Sequence, residues 1–374
     1  MKFTNPKFLY KEVGKDKRVL VTSDIHGHCD WLEELLSRAK FTNDDILVIV
    51  GDIIQKGPEN LKTLRYVMDL CQNDNVTCLM GNVDDFTVYC IYSLSEDNAE
   101  WFYNFNSQMR DWYGSSLFFD MALECGYDVR SAKQALEIKD EIMSRFKKEL
   151  DFIAYLPVVL ETENYVFVHG GLREKNVEDN EKIQTFNLTK YDNFMWDTPH
   201  KFDKYVMVGH WPVRMYDNKI MKLNPVIDKE KKIISMDGGC GITTEGQLNM
   251  MILPSIDCDI ESVSHISCDG FPKVRVLNSQ KESEDSINIS WSDRWIKILE
   301  KSEETSYVEH TASGRKLTVP NSYLWGEDAM LDYTDYELPL NAGDVVKLIK
   351  TEGNKCLVKK DGMVGWYTGR YENV

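Results

Sequence analysis

Four short apolar, β-branched runs in this chain stop abruptly at small or polar residues, and this repeated arrangement constrains the fold more than any other feature. Arg18-Val19-Leu20-Val21-Thr22 runs into Ser23-Asp24-Ile25-His26-Gly27-His28, and Asp45-Ile46-Leu47-Val48-Ile49-Val50 runs into Gly51-Asp52. Tyr165-Val166-Phe167-Val168 meets His169-Gly170-Gly171, and Tyr205-Val206-Met207-Val208 meets Gly209-His210. A weaker run, Asn75-Val76-Thr77-Cys78-Leu79, leads to Met80-Gly81-Asn82. Short continuous apolar runs are the pattern of fully buried strands. Helical patterns separate the first three: Trp31, Leu32, Leu35 and Leu36, then Leu61, Leu64, Val67 and Met68 behind Pro58. Proline suits a first helical position because its φ is already helical. The order β-α-β-α-β predicts parallel strands with right-handed crossovers. In open α/β sheets ligands gather beyond the carboxyl ends of the strands, and all of these polar residues fall there. The expected fold class is α/β, mixed sheets flanked by helices.

Residues 86–155 break the pattern. They are rich in aromatics (Trp101, Phe102, Tyr103, Trp112, Tyr113, Phe118, Phe119) and read as helical from Ser131, which forms a capping box with Gln134. Ile138, Ile142, Phe146, Leu150 and Ile153 follow at helical spacing, so this stretch is expected to be a helical insertion over one face of the sheet. Two further strands are expected after Gly241, ending near Leu253-Pro254. An acidic stretch from Ser279 to Asp285 then interrupts the chain. Beyond it the period becomes two, as in Asp344–Ile349 and Lys355–Val358, punctuated by turns at Asn341-Ala342-Gly343, Glu352-Gly353-Asn354 and Asp361-Gly362. That is the pattern of a small all-β domain. The expected organisation is an α/β domain over 1–255, a linker with connecting strands over 256–305, and a small β-barrel over 306–374.

Composition narrows the function classes. A net charge of −17 argues against nucleic acid as a partner. No apolar run approaches the roughly 20 residues that span a membrane, and the start, MKFTNPKFLYKEVGKDKRVL, lacks the apolar core of a signal peptide. Nine scattered cysteines without a CxxC pair read as reduced thiols. A cytoplasmic protein is expected.

The residues at the strand ends, Asp24, His26, Asp52, Asn82, His169 and His210, form a mixed nitrogen and oxygen donor set suited to first-row divalent cations. Three of the seven histidines stand there, each beside a glycine. Taken together, DIHGH, GDIIQKG, GN, VHGG and VGHWP resemble, in order, the motifs of the calcineurin-like metallophosphoesterases. The likeness is to the phosphoprotein phosphatase branch, which includes bacterial and phage protein phosphatases and symmetrical dinucleoside tetraphosphatases. It covers roughly residues 17–255, and Pro212, in place of the second histidine of a G-H-x-H motif, points to the same branch. The resemblance implies two divalent ions, Mn²⁺ or Fe with Zn²⁺. Asp24 and His26 hold the first, Asp52 bridges, and Asn82, His169 and His210 hold the second. It implies hydrolysis of a phosphomonoester or phosphoanhydride by in-line attack of a water that the ions activate, on a phosphorylated small molecule or a phosphoprotein.

The sequence departs from the family at three places. In the family's G-D-x-x-D-R-G the second aspartate orients a catalytic histidine and the arginine grips phosphate. Here Gln55 replaces the aspartate, Lys56 the arginine, and Val83 the histidine, which should follow Asn82. Lys56 keeps the charge without the planar fork, and Arg214 is a second candidate for phosphate. With the general acid missing, His28, Asp84 or Asp85 stands as a substitute. Losing such an acid costs ~10²–10⁴-fold, least for leaving groups that depart as anions. Two readings follow: a phosphoesterase favouring anhydrides or aryl phosphates, or a metal-retaining, non-catalytic relative that binds a phosphorylated ligand or partner.

Residues 329–371 resemble a Src-homology-3-type barrel: Ala329-Met330-Leu331-Asp332-Tyr333 matches its ALYDY opening, and Gly362–Tyr371 its closing segment. Leu331, Cys356 and Thr368 replace groove residues, while Tyr333, Trp366 and Tyr371 remain. This points to a packing or targeting module that meets a protein partner, rather than a working proline-rich binder.

Overall fold

The apolar runs become the inner strands of two facing sheets. In this computed structural model, which describes residues 7–374, the chain starts with β1 (Phe8–Tyr10), β2 (Val19–Thr22), α1 (Cys29–Ala39), β3 (Ile46–Ile49), α2 (Asn60–Leu70) and β4 (Val76–Cys78). The first six residues, part of the stretch read above for a signal peptide, lie outside the described residues. As expected, β2, β3 and β4 pair in parallel, Val19 opposite Ile46 and Leu47 opposite Val76, with the helices as crossovers. Pro58 does not open α2: Glu59 is the N-cap and Asn60 the first helical residue.

A helical block follows: α3 (Asn82–Ser93), α4 (Ala99–Tyr113), α5 (Leu117–Glu124), α6 (Ala132–Arg145) and α7 (Lys147–Ala154). It is helical from Asn82 rather than from Ser131. Ser131 caps α6 through Oγ, which accepts from Gln134 N–H (3.2 Å), but Gln134 Oε1 reaches Arg130 N–H rather than that of Ser131. Then come β5 (Val159–Glu161), β6 (Tyr165–Val168), β7 (Tyr205–Val208), β8 (Met221–Lys222), β9 (Val226–Asp228), β10 (Ile233–Ser235), β11 (Leu248–Leu253) and β12 (Ser264–Cys268). One sheet has the order β12-β11-β2-β3-β4 and the other β1-β5-β6-β7-β10-β9. Val21, Val48, Val50 and Leu79 meet Phe167, Met207 and Ile234 in one buried core, each such side chain contributing ~1.5–3 kcal/mol. Only β11 lies between Gly241 and Pro254; the second strand expected there, β12, comes ten residues beyond Pro254 and antiparallel to β11. No helix among the described residues is long and apolar enough to cross a membrane.

The chain divides into two compact units, and the boundary is not at 255. The first takes in the chain to Val213 with Asn224–Asp269, and the second Arg214–Leu223 with Gly270–Val374. The stretch 256–305 is therefore no linker: β12 closes a sheet of the first unit, and Lys273–Val276 sits inside a sheet of the second. The second unit is all-β, as expected, but its strands do not follow the limits 306–374. Its six-stranded sheet recruits β8 and Lys273–Val276, while Thr305–His310 and Lys316–Pro320 form a separate three-stranded sheet with Ile296–Lys301. Of the three aromatics on which the barrel resemblance rests, Tyr333 and Trp366 are buried, the latter donating through Nε1 to the Thr334 carbonyl (2.7 Å).

Candidate metal centre

Three of the strands that feed the centre, β2, β3 and β7, end in turns an ordinary residue avoids. Asp24, His26, Asp52, Gln55, Lys56 and His210 all have φ between 46° and 65°, six of the ten non-glycine residues with positive φ among those described. Such backbone costs of order 1–3 kcal/mol per residue and persists where the surroundings over-determine it, often at functional sites. The neighbouring glycines allow close approach. A Cβ on Gly81 would lie 2.1 Å from Asp52 Oδ1, and one on Gly209 2.2 Å from Asp24 Oδ2.

The structure brings five of the six expected ligands into one chain of side-chain contacts and ties the sixth, His210, to them through its backbone. His26 Nε2 lies 3.9 Å from Asp24 Oδ1 and 3.7 Å from Asp52 Oδ2. These three side chains, all buried, offer ligand atoms within 4.8 Å of one another. On the other side of Asp52, His169 Nε2 is 3.3 Å from its Oδ1 and 3.1 Å from Asn82 Oδ1. The His210 ring lies 5.4 Å from that of His169, and its backbone N–H donates to Asp24. Asp52 thus divides its two oxygens between two donor groups.

The histidines are held in orientations that suit ligands. His26 donates through Nδ1 to the Ile54 carbonyl (3.3 Å), and His169 through Nδ1 to that of Val50 (2.7 Å). A carbonyl only accepts, so each Nδ1 carries a proton, and Nε2 of each ring is the nitrogen turned to the centre, free to take a cation once it holds no proton of its own. His26 Nε2 is fully buried with no hydrogen-bond partner, an atom that a cation would satisfy. His210 instead gives Nε2 to Asp192 Oδ1 (2.8 Å), leaving Nδ1 as its donor. Asp24, Asp52, Asp84 and Asp237 are all buried, and packed carboxylates are costly without compensating positive charge. The donor set and the orphaned nitrogen fit divalent cations.

Three expected roles change. Asp84 is not positioned as an acid: its carboxylate accepts from the backbone N–H groups of Asp52 (2.8 Å), Ile53 (3.0 Å) and Gly81 (3.0 Å), pinning the Asp52 loop to α3. His28 donates through Nδ1 to the His26 carbonyl (2.8 Å) and packs on Trp31, and burial pushes its pKa down. As a neutral ring it has no proton on Nε2 to give. Arg214 does not reach for phosphate. It is fully buried in the second unit, paired with Asp332 (3.1 Å) and donating to Asn288 Oδ1 and the Ile289 carbonyl. The alternative acid Asp85 is half-buried on α3, where burial raises its pKa. Lys56 stays at the centre. Its charge acts on His26, Asp52 and Asp237, and its ammonium has no hydrogen-bond partner among the described residues. Two residues join the set. Asp237, just beyond β10, accepts from Gly239 N–H (2.7 Å) and leaves Oδ2 unpaired. Asn60 accepts from Gln55 N–H (2.6 Å) and donates to the Gly57 carbonyl (3.1 Å), fixing the Lys56 turn.

The charge states make a testable prediction. Burial, then the neighbouring Asp52, pushes Asp84 up to about 7, and burial lifts Asp237 well above the carboxylate range. Burial pulls His169 down, but Asp52 and Asp24 outweigh it and lift it to about 10. Burial, aided by Lys56, holds His26 down at about 3. Above about pH 7.5 His26 is neutral in the folded and the unfolded chain alike, whereas Asp237 and His169 keep protons, and Asp84 part of one, that the unfolded chain has released. The folded state binds more protons there, so stability of the metal-free protein falls as pH rises from about 7.5 to 8.5. Cations that replace those protons cancel the fall. The Tm difference between Mn²⁺-loaded and chelated protein therefore widens over that range, and a constant difference would contradict this picture.

Comparison with known proteins gives the family. A symmetrical bis(5'-nucleosyl)-tetraphosphatase of Buchnera aphidicola is 44% identical over 62 residues, 16% of this chain and 22% of that enzyme. The Vibrio parahaemolyticus enzyme of the same name is 36% identical over 77 residues, 20% of this chain and 28% of that enzyme. The matches thus span less than a third of those relatives. Among solved structures, a Saccharomyces cerevisiae serine/threonine phosphatase aligns with a TM-score of 0.44 and 13% identity, covering 71% of this chain and 84% of that one. A cold-active protein-tyrosine phosphatase of a Shewanella species gives 0.42 and 15%, covering 70% and 82%. The calcineurin-like phosphoesterase pattern itself runs over residues 17–232, more than half of the chain and every ligand named above, and the protein belongs to that family.

Proposed function

We propose that this protein is a dinuclear-metal phosphoesterase, cleaving a phosphomonoester or phosphoanhydride whose leaving group departs without help from an acid. The observation that carries the reading is Asp52, whose two oxygens face His26 on one side and His169 on the other, 3.7 and 3.3 Å away. Asp24 and His26 would hold one cation, Asn82, His169 and His210 the other, and Asp52 both. Bound there, divalent ions such as Mn²⁺ would offset phosphoryl charge and acidify a water for in-line attack. The remaining work falls to the chain. Lys56 adds a positive charge for the phosphate, and Asp84 and Asn60 hold the two turns in place. No proton donor stands beside Asn82, because Val83 occupies that position. An alkoxide leaves poorly without a proton, whereas a phenolate, whose acid has a pKa of about 10, or a nucleotide phosphate needs little. The named activity of the tetraphosphatase relatives, on an anhydride, supports this choice. A second reading, a non-catalytic phosphate-binding relative, rests on Val83 and Gln55.

Turnover of a dinucleoside tetraphosphate and of p-nitrophenyl phosphate, by chelated protein and after Mn²⁺ is restored, decides between them. Metal-dependent turnover is expected, and Lys56→Met should raise KM by roughly tenfold or more, as for a lost charge-assisted hydrogen bond. No turnover in the metal-loaded protein, or faster cleavage of a phosphoserine peptide than of the aryl phosphate, would defeat the proposal.

A further inference from the structure

Three aromatic rings stand half in water one helical turn from the centre. Asn82 is the first residue of α3, and Phe86, four residues on, shares its face about 5–6 Å away. Helical side chains lean toward the helix N-terminus, so Phe86 covers the turn that carries Asn82 and Val83. Its ring is 41% exposed and meets two rings of α4 edge-on, Phe105 at 5.7 Å and Trp101 at 6.1 Å. Trp101, 49% exposed, and Phe105 stack on each other at 5.5 Å and 12°. The opposite face of α3, with Asp84, Val88 and Ile91, is buried. The rings are therefore not the side of α3 that packs into the core, and adjacent exposed apolar rings mark binding surfaces.

We propose that this cluster holds a planar aromatic ring carried by the leaving group of the substrate; the inference rests on the phosphoesterase reading above. A group attached to a phosphate at the centre and lying along α3 meets Val83 first, then Phe86, then the Trp101–Phe105 pair. None of these gives a proton, and all of them attract a ring. The leaving groups that depart unaided, nucleotides and aryl oxides, both carry one. The absence of an acid and the presence of the rings thus select the same chemistry, and stacking on such platforms is worth about 5- to 100-fold in affinity.

Matched ligands test this in the Mn²⁺-loaded full chain by calorimetry. Adenosine 5′-monophosphate and ribose 5-phosphate differ by the base, and phenylphosphonate and methylphosphonate by a ring attached directly to phosphorus. At least a tenfold preference for the ring-bearing member is expected in one pair, the first identifying a nucleobase and the second an aryl group. Trp101→Ala and Phe86→Ala should remove most of that preference and leave the ring-free ligand unchanged, while Trp101→Phe retains it. No preference in either pair, or one unmoved by both alanine variants, would overturn the proposal. So would equal weakening of both ligands, which would mean that the rings only set the position of Asn82. The readout is binding, so missing turnover would count against the phosphoesterase reading alone, and turnover without ring preference against this one alone.

Discussion

Replacing Val83 with histidine and Gln55 with aspartate together should raise turnover of an alkyl phosphate, such as a phosphoserine peptide, by ~10²–10⁴-fold, the usual contribution of a positioned general acid. Turnover of p-nitrophenyl phosphate should rise far less, because its leaving group needs little protonation. The scaffold for the acid is intact. Val83 sits half-buried in the first turn of α3, its N–H donating to Asp52 Oδ1 (2.9 Å), so a side chain there starts from a backbone locked to the centre. Gln55 is 1% exposed, its Oε1 accepting from Leu117 N–H (3.4 Å) and its Nε2 without a partner. Because that buried amide nitrogen has no partner, a carboxylate at position 55 breaks no bond that Nε2 makes. Neither change should suffice alone. Gln55→Asp buries a carboxylate with no cation beside it, and Val83→His leaves an imidazole with nothing to set its tautomer. The double variant should also lose activity at high pH as the new histidine deprotonates. Equal effects on alkyl and aryl substrates would show that the leaving-group argument is wrong.

Much of the centre was legible in the sequence because buried strands need no periodicity: an unbroken apolar run ending in a polar residue marks both a strand and its carboxyl end. The run Ile233-Ile234-Ser235-Met236 ending in Asp237-Gly238-Gly239 carries the same signal, but no histidine marks it. What stayed hidden depends on direction. Asp84 and Asp85 look alike in sequence, as acids in the first turn of a helix, and only the approach of the Asp52 loop from β3 separates them. Arg214 follows His210 by four residues, yet the chain passes into the second unit after Val213. The acidic stretch 279–285 has a linker's composition, but its side chains act as staples. Gln280 donates to the carbonyls of Leu338 and Trp366, Ser279 and Ser283 accept from Ala342 and Glu337 N–H groups, and Glu282 accepts from Tyr336. Polar residues that bond backbone across a fold cannot be told from solvated ones by composition.

The contrast between Asp52 and Asp84 gives the sharpest test of how the centre is built. Asp52→Asn should leave the fold in place and reduce metal-dependent turnover by roughly a thousandfold or more, given the several kcal/mol that a polarising cation supplies. It keeps one oxygen for Val83 N–H but cannot serve two donor groups with two anionic oxygens. Asp84→Ala should instead cost both stability and metal. It orphans the buried N–H groups of Asp52, Ile53 and Gly81, each worth ~1–3 kcal/mol when left without a partner. Local relaxation will admit some water, so a total of about 3–5 kcal/mol is expected, at the top of the range for one substitution. Asp84→Asn, which retains one accepting oxygen but turns an amide toward another donor, should fall between. Asp52 holds its strained φ of 52° through those bonds, so Mn²⁺ affinity should drop with them. Urea unfolding and Mn²⁺ titration of the three variants separate the roles. If Asp84→Ala keeps wild-type stability and affinity while turnover alone disappears, the carboxylate is acting on substrate and its assignment as a structural clamp is wrong.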